Sequence, residues 1–133
     1  SLASSAKALS INDGTSTNRV TIYKNANTAN YYTCRVYRGG GSVVAQDLLL
    51  TDMTLFSKIA ILYGNALSDG GVYIDGARVI DWSTIDTSFT SNVLNSISFD
   101  NGNGGDALEA KIKQVQVFKT ALTGAELQTL TTL

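Results

Sequence analysis

The chain is 133 residues long, 44% hydrophobic and 16% charged, with a formal charge of −1, no proline, no histidine and one cysteine. That length and apolar content predict one domain with its own core and exclude a disordered chain. The balanced charge, with no cluster of Lys or Arg, excludes a partner held through phosphates, so nucleic acid is not an expected partner; no apolar run reaches the ~20 residues of a membrane span, so membrane insertion is not expected either.

Segments that alternate apolar and polar residues follow one another about every 8–12 residues, separated by Gly, Asn, Asp and Ser, the pattern of an all-β sandwich or barrel. Strands are predicted near 6–12, 18–24, 30–38, 42–50, 56–64, 70–75, 77–82, 93–99 and 108–118. Three hairpins can be placed in register. In the first, the polar stretch 25–29 joins two strands, and Tyr23 pairs with Tyr31. This puts Ile22 opposite Tyr32 and Val20 opposite Cys34 inside, with Tyr23/Tyr31, Thr21/Thr33 and Arg19/Arg35 outside. The second turns through Gly39, Gly40 and Gly41, where a tight turn needs residues that tolerate positive φ. The third turns on Asp75-Gly76, a type I′ signature. It pairs Ile74 with Ala77 and Val72 with Val79 inside, and Tyr73 with Arg78 outside.

The C-terminal stretch reads as a buried strand carrying Ile112, Val115 and Val117, followed by a short helix that starts at Thr123. The step from Ile112 to Val115 breaks strict alternation. A bulge near Lys113-Gln114 returns Val115 and Val117 to the face used by Ile112. Thr123 and Glu126 stand at the spacing of a capping box, and Leu122 and Leu127 at that of a hydrophobic staple. No internal repeat or low-complexity linker interrupts the chain, so 1–133 is read as a single domain.

Several segments occur in a telling order. Asn12-Asp13-Gly14 is followed by Asn18-Arg19-Val20-Thr21-Ile22-Tyr23, and Lys58 to Tyr63 precedes Val72-Tyr73-Ile74-Asp75-Gly76. A Gly-rich loop from Phe99 to Asp106 then leads to the strand and helix between Ile112 and Leu127. Together they resemble the concanavalin A-like, laminin-G-like jelly-roll domains, especially those of phage and other virion surface proteins. The resemblance covers nearly the whole chain. It implies an all-β fold: a two-sheet antiparallel jelly-roll β-sandwich with one short C-terminal helix. In that family the sandwich opens with a strand beside the C-terminal one, and Ala6 to Ile11 looks like the strand after it. The resemblance therefore implies that 1–133 lacks an N-terminal strand. A neighbouring chain, or a segment outside these residues, is then expected to cover the open sheet edge.

Catalysis has little to work with. Without histidine neither a Ser-His-Asp nor a Cys-His pair can form. Cys34 alternates with Tyr32 and Val36, as a small core residue does. Glycosidases of the resembled family carry closely spaced Glu and Asp residues, acid and nucleophile about 5 Å apart. Here Glu126 belongs to the helix cap, and Glu109 has no acidic residue two or four positions away. No catalytic residue is predicted.

Binding has three candidate places. The outer face of the first hairpin gathers Arg19, Tyr23, Tyr31, Arg35 and Tyr37. Aromatic faces stack on sugar rings, and arginine donates forked hydrogen bonds to hydroxyls or carboxylates. Two opposed arginines repel unless an anion or an acidic neighbour, a place open to Asp47, lies between them. The same residues suit an assembly contact, or an ordinary exposed sheet face built for β-propensity. Trp82, the single tryptophan, is either a sugar platform beside a loop or a plug at the end of the core. Asp100, Asn101, Asn103 and Asp106 offer carboxylate and amide oxygens to Ca²⁺, and some laminin-G-like relatives bind calcium at loops. The other reading is a polar turn whose Asx side chains cap their own backbone. No other cofactor is expected.

The resemblance and the residues together point to a non-catalytic structural or adhesion module of a virion surface appendage, a phage tail or head protein. Its expected partners are other virion or same-protein subunits and a cell-surface receptor or glycan, and its expected place is the virion surface or the extracellular space. A carbohydrate-binding module of a secreted bacterial protein is the alternative reading, and a glycoside hydrolase the third.

Overall fold

Where alternation is strict the chain is extended, and where Thr123 caps the last polar stretch it is helical. A computed structural model describes residues 7–24, 31–49 and 56–133. Its elements are β1 (Lys7–Asn12), β2 (Arg19–Lys24), β3 (Tyr31–Arg38), β4 (Gly41–Leu49), β5 (Ile59–Leu62), β6 (Gly71–Ile74), β7 (Ala77–Asp81), β8 (Ser96–Ser98) and α1 (Gly124–Thr131). The fold is all-β, two antiparallel sheets with one short C-terminal helix, the class that the sequence predicts. One sheet has five strands in the order β4-β3-β2-β1-β8, and the other three in the order β5-β6-β7. They belong to two units, Ser1–Met53 with Phe89–Glu109, and Thr54–Ser88 with Ala110–Leu133.

In the first unit β1 is an inner strand. It pairs with β2 along its length, with β8 through Ser10, Ile11 and Asn12, and its Ala8 bridges Ala107. Both sides of β1 are therefore paired by strands of the chain itself. β2 and β3 pair with Ile22 opposite Cys34 and Val20 opposite Val36. This register is two residues away from the expected one, because Lys24 rather than Tyr23 ends the β2 ladder, opposite Tyr32. The loop 25–29 that was expected to set it lies outside the described residues. Since the shift is even, each side chain keeps its face. Val20, Cys34, Val36, Val44 and Leu48 are buried on one face. The β3–β4 turn places Gly39 and Gly40 at φ +61° and +80°, as a two-residue hairpin loop requires.

In the second unit Asp75 and Gly76 take φ +48° and +84°, the type I′ geometry expected of them. Ile74 pairs with Ala77 and Tyr73 with Arg78 as expected. A bulge then sets Val72 opposite Ile80 instead of Val79, which turns Val79 outward. Tyr73, expected outside, is 1% exposed. It forms a cluster with Leu62 and Leu127, packed by Ala60, Leu67 and Leu122, because α1 covers that face of the sheet. The helix starts as expected. Thr123 Oγ1 accepts from the Glu126 N–H at 3.3 Å, and Glu126 Oε2 accepts from the Thr123 N–H at 2.8 Å. Burying Leu127 is worth about 1.5–3 kcal/mol, against ~1 kcal/mol for such a cap, so packing more than capping holds α1 in place.

The last predicted strand is absent. Residues 110–121 carry no strand pairing among the described residues, and Ile112, Val115, Val117 and Phe118 are exposed. Strand propensity marks residues that fit a pleated sheet, but a strand exists only where an edge accepts its hydrogen bonds.

Candidate functional site

The polar face of the five-stranded sheet brings the predicted arginines and tyrosines together. Across β2 and β3, Arg19 faces Tyr37, Thr21 faces Arg35 and Tyr23 faces Thr33. The Arg19 guanidinium carbon lies 4.2 Å from the centre of the Tyr37 ring, and that of Arg35 lies 5.0 Å from the centre of Tyr23. Arg35 Nη1 donates to the Tyr37 hydroxyl at 2.8 Å. Arg19 Nη1 donates to the Asn101 carbonyl at 2.7 Å, tying the sheet to the Gly-rich loop. The result is an alternating ladder, Tyr23, Arg35, Tyr37 and Arg19, in which each guanidinium rests on an aromatic ring. Tyr31, half-buried at the start of β3 and opposite Leu49, stands on the same face by alternation.

The electrostatics follow from these contacts. Burial pushes the Tyr37 phenol up, but the Arg35 hydrogen bond and charge, with those of Arg19, outweigh it and hold the phenol below its ordinary value. Burial pushes the Tyr23 phenol above the usual range, against the pull of Arg35. The hydrogen bond to Tyr37 raises the Arg35 guanidinium further. Asp47, the expected acidic neighbour, lies opposite Thr33 and accepts from its Oγ1 at 2.6 Å. It forms no ion pair with either arginine.

Sequence reasoning missed the polar floor of this face. Ser10, Asn12, Thr21 and Thr33 are at most 2% exposed. Asn12 Nδ2 donates to Ser10 Oγ at 2.9 Å and to Ser98 Oγ at 3.0 Å, and its Oδ1 accepts from the Gly14 N–H at 2.8 Å. Ser10 Oγ in turn donates to the Asp100 carbonyl at 2.9 Å. Buried polar groups so fully bonded are rigid. The signal was the alternation of Ser10 and Asn12 with Leu9 and Ile11 in β1, which marks a second face but does not reveal that it is covered.

The Gly-rich loop is bonded mainly to itself. Asp100 Oδ1 accepts from the Gly102 N–H at 2.6 Å, and Asn101 Oδ1 from the N–H groups of Asn103 and Gly105, both at 3.2 Å. Asn101 Nδ2 donates to Asp106 Oδ2 at 3.1 Å, and Asn103 Oδ1 accepts from Gly105 at 3.2 Å. These are the bonds of Asx turns. Gly102, at φ +95°, passes so close to the loop before β2 that a Cβ there would lie 2.6 Å from the Thr15 carbonyl oxygen. Among the described residues no group of three or more His, Cys, Asp or Glu side chains could hold a metal ion.

Trp82 is in the core. It is 1% exposed, and its indole N–H donates to the Leu62 carbonyl at 2.6 Å, so it offers no ring face to a ligand and the platform reading is set aside. Cys34 is buried, and desolvation pushes its thiol up to about 12, which leaves it protonated and unreactive. Among the described residues no helix is long and apolar enough to cross a membrane. Compared with protein-family models, curated proteins and solved structures, the chain matches none.

Proposed function

We propose that the chain is a non-catalytic adhesion module of the concanavalin A-like kind, such as virion surface appendages carry, and that it recognises a cell-surface glycan through the Arg/Tyr face of its five-stranded sheet. The observation that carries the reading is the pair of guanidinium–ring stacks, 4.2 and 5.0 Å, standing over a hydrogen-bonded polar floor. Side chains already held against one another lose little freedom when a ligand arrives, which favours affinity. Half-buried tyrosine rings give a sugar an apolar platform, and the guanidiniums give its hydroxyls donors. The absence of histidine and the buried, protonated Cys34 support the non-catalytic part of the reading. A carbohydrate-binding module of a secreted bacterial protein would use the same face and differ only in the protein that carries it.

The test is a glycan array probed with the purified chain and with Tyr37→Ala. Binding to one glycan class, weakened at least several-fold in Tyr37→Ala, is the expected result. A chain that binds no glycan, while its thermal melt shows it folded, would end this reading.

A further inference from the structure

We infer that the ligand of this face is an acidic saccharide, held through a sugar carboxylate set between Arg19 and Arg35. The inference rests on reading the face as a glycan-binding surface and adds the chemical class of the glycan. Arg19 faces Tyr37, and Arg35 stands two residues earlier on the same strand, so the two arginines are diagonal neighbours on one face. Such neighbours lie about 7–8 Å apart along the sheet, close enough for one bound anion to meet both side chains. Like charges at that separation repel until an anion joins them.

The Asp47 charge acts on Arg35 through space, but no described carboxylate is paired with both arginines. Neither guanidinium makes an ion pair with a described residue; the ion pair of Arg78 with Asp81 lies in the other unit. Asp47, the carboxylate on this face, is engaged by the Thr33 hydroxyl. Both arginines are anchored through Nη1, Arg19 to the Asn101 carbonyl and Arg35 to the Tyr37 hydroxyl. This anchoring leaves the edge formed by Nε and Nη2, which is the edge that matches the two oxygens of a carboxylate. The Nε atoms of both residues are buried with no hydrogen-bond partner. Buried donors without acceptors are costly, and a carboxylate reached by a small rotation of each side chain would satisfy them. Tyr31, half-buried on the same face by alternation, then offers ring surface for the C–H face of the sugar.

The experiment uses an array of carboxylated, sulfated and neutral oligosaccharides, followed by calorimetric titration with the best binder, for the wild-type chain, Arg19→Met, Arg35→Met and Arg35→Lys. Preference for carboxylated glycans is expected, with each Met variant weakening it roughly tenfold or more. Arg35→Lys, which keeps the charge and loses the fork, should recover only part of that loss. Should a variant fail to fold, the wild-type chain still decides, since raising the salt concentration must weaken carboxylated binding and leave neutral binding unchanged. Equal or better binding of neutral glycans, a preference for sulfated ones alone, or salt-independent binding would overturn the carboxylate inference and leave the glycan reading standing. Binding to no glycan at all would end both.

Discussion

On the proposed surface, neighbouring charge outweighs burial at Tyr37. Its phenol is held below the ordinary 10.0 because the Arg35 bond and the two guanidiniums outweigh burial, whereas burial pushes Tyr23, Tyr32, Tyr63 and Tyr73 upward. A group whose folded value is depressed contributes stability only above its unfolded value, and that contribution disappears as pH falls through the folded value. At neutral pH the phenol is protonated in both states, so the effect shows in titration rather than in stability. When the folded chain is titrated upward by tyrosinate absorbance, Tyr37→Phe should remove the earliest component of the rise. If that component survives, the Arg35–Tyr37 bond is not formed in solution. At this scale the sequence told which residue types share the face, because alternation alone assigns faces. It could not tell that Arg35 meets Tyr23 and Tyr37 rather than Arg19 directly, since that depends on register.

Elements were legible where a local rule governs them, and less so where a distant partner does. The capping box is local: Thr123 and Glu126 sit within one turn, and both of its bonds form as expected. Gly39-Gly40 and Asp75-Gly76 are local in the same way. The β2–β3 register depends on how many residues the loop consumes, which its polar composition does not state. Tyr73 reads as outward from hairpin alternation, but the helix that covers it comes from far along the chain. Residues 110–121 have the composition of a strand and no ladder among the described residues. The cap gives a prediction with a definite sign. The backbone hydrogen bond from Thr123, and then its hydroxyl, hold the Glu126 carboxyl below the ordinary 4.5. Its contribution is therefore complete above pH 4.5 and is lost as pH falls through the lower folded value. In thermal melts across the acid range Glu126→Gln should show a shallower loss of stability below that pH than the wild-type chain, and Thr123→Ala should cost about 1 kcal/mol at neutral pH. Parallel acid profiles for wild type and Glu126→Gln would mean that the carboxylate does not cap the helix.

Along the whole molecule the two units are interleaved: the chain builds most of the first, then the sheet of the second, then returns for β8, and ends with α1. No single cut releases either unit intact. A chain ending at Ser88 keeps β1 to β7 and loses β8 and α1. In the first unit Ser10, Ile11 and Asn12 then lose their β8 partners. Asn12 Nδ2 also loses Ser98, Ser10 loses the Asp100 carbonyl and Arg19 loses the Asn101 carbonyl. Each such group, if it stays buried and unmade, costs about 1–3 kcal/mol. In the second unit Leu62 and Tyr73 lose Leu127, a side chain worth about 1.5–3 kcal/mol of burial. These losses together approach the ~7–20 kcal/mol that a chain of this size has in total. The truncated chain should therefore lack a cooperative urea transition, with its tryptophan emission already red-shifted in the absence of denaturant, because Trp82 no longer sits in a closed core. A sharp transition at the wild-type midpoint would mean that β8 and α1 are decoration, and that the first 88 residues hold both sheets without them.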